Sequence, residues 1–78
     1  MGIQELDRVA LRDDLPQHGL ARGDIGTVVM THAHGQRYTI EFVTLSGRTI
    51  AVETLRATQV RPLGENEIAS ARALSPTP

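Results

Sequence analysis

The chain contains no cysteine, no lysine and no tryptophan, and its only aromatic residues are Tyr38 and Phe42. Without cysteine there is neither a disulfide framework nor a thiolate metal site, which favours a reducing compartment. Two aromatics leave the core to Val, Ile, Leu and Ala, and offer almost no stacking platform for unpaired bases. No stretch approaches the roughly 18 apolar residues that span a bilayer. Met1 is followed by polar residues rather than an apolar h-region, so no secretory leader is expected and the predicted location is cytoplasmic. The net charge of −1 gives no broad attraction to nucleic acid or anionic lipid.

What is present is one small domain. Seventy-eight residues, 40% of them apolar, lie near the lower limit for a self-sufficient core. Each large aliphatic side chain buried contributes about 1.5–3 kcal/mol, and chain entropy offsets most of the sum. Modest stability follows, or support from a partner, which includes self-association into a homo-oligomer.

Alternation and turn residues divide the chain. Asp7 to Arg12 reads as a half-buried strand with Val9 and Leu11 on one face. Asp13 to Gly23 is a long loop: Asp13 and Asp14 suit turn starts, Pro16 fixes φ, and Leu15 and Leu20 fold back onto the body. The stretch Arg22-Gly23-Asp24-Ile25-Gly26-Thr27-Val28-Val29 then turns the chain and starts a strand running to His32. Further strands are expected over Arg37–Val43, Arg48–Thr54 and Gln59–Leu63, with a 3₁₀ turn over Leu55–Thr58.

Hydrophobic alternation also proposes a register. Pairing Phe42 with Ile50 and Ile40 with Val52 puts all four inside and leaves the loop Leu45-Ser46-Gly47, with Gly47 at a left-handed position. Pairing Met30 with Tyr38 and Val28 with Ile40 leaves Ala33-His34-Gly35. The rival is a two-residue His34-Gly35 turn, which puts Thr27, Val29 and Thr31 inside. Gly23, Gly26, Gly35 and Gly47 are thus the structural turn positions.

The body spans residues 6–63, and residues 64–78 form an extension. A short helix is expected over about 66–74, with Asn66 as N-cap and Ile68, Ala71 and Leu74 as a weak apolar face, followed by a frayed end. The predicted fold is mostly β: a five-stranded SH3-like barrel with a short 3₁₀ turn and a short C-terminal helix.

The segment Arg22 to Val29 resembles the turn–strand element of the KOW motif. A wider set of residues resembles the bacterial "domain of unknown function 4926" family: Val9-Ala10-Leu11, Asp14-Leu15-Pro16, His18-Gly19-Leu20, Arg22-Gly23-Asp24, Gly26-Thr27-Val28-Val29, Tyr38, Glu41-Phe42-Val43, Gly47, Thr54-Leu55 and Val60-Arg61-Pro62-Leu63. This resemblance covers about residues 6 to 63 and implies no defined activity. It implies a partner-binding or antitoxin-like role beside a neighbour-encoded, toxin-like protein. The chain departs from the family pattern at Arg48, where acidic residues are common, so the resemblance assigns no electrostatic role to that hairpin.

Chemistry is sparse. His32 and His34 would share a strand face and could chelate a cation, but the register puts His34 in a turn and no third ligand stands nearby. Asp13-Asp14 reads as turn capping rather than a cation site, which needs six to eight oxygens. Glu41 and Glu53 fall on the outer sheet face, with Thr39 opposite Glu53 and Ala51 opposite Glu41, far from a catalytic cleft. No nucleophile has a base beside it, so no catalytic residue, metal or cofactor is assigned. The adhesion tripeptide spelled by Arg22-Gly23-Asp24 is explained by the turn and strand start. The expected function is therefore a non-enzymatic protein-interaction module, with Asp13, Asp14, His18, Leu20, Arg22 and Arg37 as partner-binding residues. The alternatives are a KOW-like nucleic-acid-binding barrel and an accessory domain of an enzyme complex.

Overall fold

The computed structural model describes residues 2–74. Five strands form one antiparallel sheet: β1 (Arg8–Leu11), β2 (Ile25–His32), β3 (Arg37–Val43), β4 (Thr49–Arg56) and β5 (Val60–Pro62). Their order is β4-β3-β2-β1-β5, so the chain meanders through four strands and the fifth returns to the first. Short 3₁₀ turns occupy Pro16–His18, Ala33–Gly35 and Ala57–Gln59. The domain is mostly β and barrel-like, as the alternation of the sequence requires. The last 3₁₀ turn lies at 57–59 rather than 55–58, because β4 continues to Arg56 and buries Leu55.

Val9, Leu11, Val28 and Ile40 are completely enclosed, and Tyr38, Phe42, Leu55 and Val60 pack around them. Ile3, ahead of the first strand, packs against the same cluster. Gly26 sits where β2 crosses this core. A Cβ there would lie 2.5 Å from Ile40 Cγ2 and 2.8 Å from the Phe42 ring, so the residue must be glycine for the strand to approach so closely.

The β3–β4 hairpin has the expected loop but not the expected register. Thr44 N–H donates to Arg48 O at 2.9 Å, Gly47 takes φ +89°, and Val43 lies opposite Thr49. The ladder then slips by one residue: Phe42 faces Ala51, Ile40 faces Glu53 and Tyr38 faces Leu55. Ile50 is the extra residue of a β-bulge, and because side chains alternate, one inserted residue exchanges the two faces beyond it. Ala51 and Leu55 therefore enter the core, while Val52 is exposed and Glu53 moves to the inner side.

The β2–β3 hairpin combines the two registers that alternation allows. Near the turn His32 faces Arg37 and Thr31 faces Tyr38, so the expected pairing of Met30 with Tyr38 does not form and Met30 lies exposed opposite Thr39; beyond a second bulge at Val29, Val28 faces Ile40. In the turn Ala33, His34 and Gly35 all take positive φ, and Gln36 N–H donates to His32 O at 3.2 Å. The far end keeps Val28, fully enclosed, in the core.

The helix expected over 66–74 does not form; the described part of this stretch has no regular structure beyond a turn at residues 65–66. Its apolar face was too thin to dock: Ile68 is 92% exposed. Local polar bonds hold the chain instead. Glu67 accepts from Gly64 N–H at 2.5 Å and pairs with Arg61 at 2.7 Å. The frayed end expected beyond residue 74 lies outside the described residues.

Candidate interaction surface

The first loop is short of regular structure yet closed at every level. Leu15 and Leu20 pair as an isolated antiparallel bridge, Leu15 N–H donating at 2.9 Å and Leu20 N–H at 3.1 Å. Between them Pro16–His18 makes one 3₁₀ turn, ended by Gly19 in the left-handed conformation. Both leucines are buried, so Leu20 anchors the loop to the core and does not present itself to a partner.

Side-chain caps close the stem. Asp14 Oδ1 accepts from Arg22 N–H at 2.8 Å, and Asp24 Oδ2 accepts from Ala21 N–H at 2.9 Å. Gly23 N–H and Leu11 O, with Leu11 N–H and Asp24 O, tie the stem to β1 at 2.9 Å each. The tip is fixed to β4: His18 Nε2 and Glu53 Oε2 are 2.6 Å apart. This contact exists because the bulge at Ile50 carries Glu53 to the side of the sheet that the loop covers.

Asp13, Asp14, His18 and Arg22 thus gather on one surface loop, with Asp13, Asp14 and Arg22 exposed. Arg37 does not join them. It lies on the opposite sheet face, across from His32 on one side and Arg56 on the other. There His32 Nε2 contacts Thr39 Oγ1 at 2.7 Å, and Thr39 Oγ1 contacts Thr54 Oγ1 at 2.8 Å. Glu41 stays on this outer face and accepts from Thr49 Oγ1 at 3.0 Å. Among the described residues no three His, Asp or Glu side chains converge as a cation would require. No helix among them is long and apolar enough to cross a membrane.

One participant is invisible to local pattern reading. Residues of the C-terminal extension return to the first loop, where Arg72 Nε donates to Asp24 Oδ1 at 2.9 Å and Arg72 Nη2 donates to Asp24 Oδ2 and to Gly19 O. Partial burial alone would raise the Asp24 carboxyl. Hydrogen bonds from Arg72 and the Ala21 amide, with the attraction of the Arg72 charge, outweigh burial and hold it below its ordinary value. The same contacts raise Arg72. The Ala21-to-Asp24 spacing announces a turn cap, but nothing in the sequence joins Asp24 to a residue 48 positions away. Between residues 69–74 and the body lies a cleft of about 1040 Å³, with Leu20, Ile25, Phe42 and Ile50 on its body side.

No curated protein and no solved structure matches the chain. A family model described as domain of unknown function DUF4926 matches residues 5–62, the whole of the sheet with its first loop. The chain therefore belongs to the DUF4926 family, and residues 63–74, including Arg72, lie outside the part that the family model matches.

Proposed function

We propose that this protein is a small, non-enzymatic protein-interaction module whose docking surface is the first loop and the start of β2. One observation carries the reading: the loop is locked by its own caps and already holds Arg72 of the C-terminal extension by a side chain and a main-chain carbonyl. A preformed surface of this kind gives up little conformational freedom when it binds. The return of β5 to β1 after a 3₁₀ turn supports the finer SH3-like description. Within it, a cytoplasmic bacterial role as antitoxin-like partner of a neighbour-encoded protein is the form that we favour. Titration calorimetry with the purified product of the adjacent reading frame tests it. The intact chain binds, and Asp14→Ala or Arg22→Glu weakens binding by about tenfold or more, as expected for interface centres. Absence of binding contradicts the antitoxin-like form.

A second reading has one observation in its favour. His32, Arg37 and Arg56 form a row across β2, β3 and β4, and the two arginines are direct cross-strand neighbours, a pairing that costs stability unless an anion joins them. A nucleic-acid phosphate would fit that row. Binding of an oligonucleotide that weakens steeply with salt and is lost in Arg37→Ala would favour this reading.

A further inference from the structure

We infer that the cleft beside Asp24 binds an extended peptide segment through one arginine, and that residues 69–74 occupy this site in cis until a partner segment of the same chemistry displaces them. The inference rests on reading the chain as a protein-interaction module, and names the partner's chemistry and how its access is governed.

The receptor for the guanidinium is built from the body of the domain. Ala21 N–H fixes one oxygen of the Asp24 carboxylate, and Leu11 N–H fixes the backbone of Asp24. The Gly19 carbonyl stands within reach of the same ligand. Two carboxylate oxygens and one carbonyl oxygen converge on Nε and Nη2 of Arg72. A planar fork satisfies that set of acceptors; an ammonium, with one nitrogen, cannot present it.

Arg72 anchors the cis occupant in the receptor, and the half-buried Leu74 lines the cleft beside it. Alanine recurs at 69, 71 and 73, so small side chains line one side of a cleft whose other wall includes the half-buried Ile25 and Ile50. The cleft is open to solvent and runs on past the extension to Val43 and Leu45. A partner with larger apolar residues beside its arginine would fill what the alanines leave open. The segment is otherwise secured by exposed polar links such as Arg61–Glu67, which contribute weakly in water. Asp24 lies inside the part matched by the family model and Arg72 outside it, so the receptor belongs to the shared body and its occupant to the extension.

A fluorescent nonapeptide of the sequence Asn-Glu-Ile-Ala-Ser-Ala-Arg-Ala-Leu, residues 66–74, serves as the probe. It is titrated into the full chain, into Arg72→Ala and into Asp24→Asn with Arg72→Ala, each checked for a dispersed amide NMR spectrum. The expected result is about tenfold tighter binding by Arg72→Ala than by the full wild-type chain, because vacating the site makes it competent. The double variant then loses that gain, and a probe with alanine in place of its arginine does not bind. Equal binding by wild type and Arg72→Ala, undiminished binding by the double variant, or no binding of the arginine probe by any of the three overturns the proposal. Equal affinity of wild type and Arg72→Ala for the neighbour-encoded protein also overturns it, while leaving the interaction reading in place.

Discussion

His18 and Glu53 meet at 2.6 Å across 35 residues of sequence, joining the tip of the first loop to the fourth strand. The contact depends on the β-bulge at Ile50, which turns Glu53 toward the loop. Removing the imidazole should free the loop without unfolding the sheet. His18→Ala is expected to cost about 1 kcal/mol, a typical partly exposed polar contact. Amide exchange should accelerate at Gly19 and Leu20 and stay slow at Val28 and Ile40; uniform acceleration would refute this local role.

The bulge makes a second prediction from adjacent residues. Ala51 is 7% exposed and Val52 is 54% exposed. Val52→Gln should change stability by no more than about 0.5 kcal/mol. Ala51→Gln, which overpacks the core and buries an amide, should cost about 2–4 kcal/mol. Urea denaturation compares the two, and the reverse order would mean that Val52 faces inward and Ala51 outward.

Gly26 gives the sharpest packing test. Any side chain there meets Ile40 Cγ2 and the Phe42 ring. Gly26→Val should cost about 3 kcal/mol, the upper end for overpacked cores, and lower Tm by more than about 10 °C in a domain this small. Asp24→Asn should leave the fold intact, because an amide oxygen still accepts from Ala21 N–H. An unchanged Tm in Gly26→Val would show that β2 does not pass so close to β3.

Acid should release the extension before it unfolds the sheet. The Arg61 hydrogen bond, then the Gly64 amide, hold the Glu67 carboxyl down at about 2, and Asp24 also lies below its ordinary value. A depressed carboxyl contributes stability fully above its unfolded value, near 4, and loses it as pH falls through the folded value. Resonances of residues 64–74 should therefore begin to shift below about pH 4 and still be changing at pH 2, with Arg72 following Asp24. Extension resonances that titrate between pH 5 and 8 would contradict these assignments.

Much of the sheet is legible in the sequence. Tyr38, Ile40 and Phe42 alternate with polar residues and all three are buried, and Leu15 and Leu20 read as anchors of a folded-back loop. The misreading of β4 has a definite cause. Ile50 packs against the core as alternation expects, but it is the bulge residue, so alternation carried past it assigns Val52 and Glu53 to the wrong faces; the bulge is set by the tight Gly47 loop meeting a core that needs Leu55. The extension is misread because Asn66, Glu67 and Arg72 suit a helix locally, while Glu67 bonds Arg61 and Gly64 and Arg72 bonds Asp24. Such pairings connect positions that no periodicity links. For the same reason the sequence groups Arg37 with the loop, although the sheet separates them.

The contact between Asp24 and Arg72 is the center of this account, and backbone ¹⁵N relaxation measures it directly. The heteronuclear NOE of Ala71 to Ala73 should match that of the strands in the wild-type chain and fall to values of a free tail in Asp24→Asn. Free-tail values in the wild-type chain, or strand-like values that persist in Asp24→Asn, would contradict it.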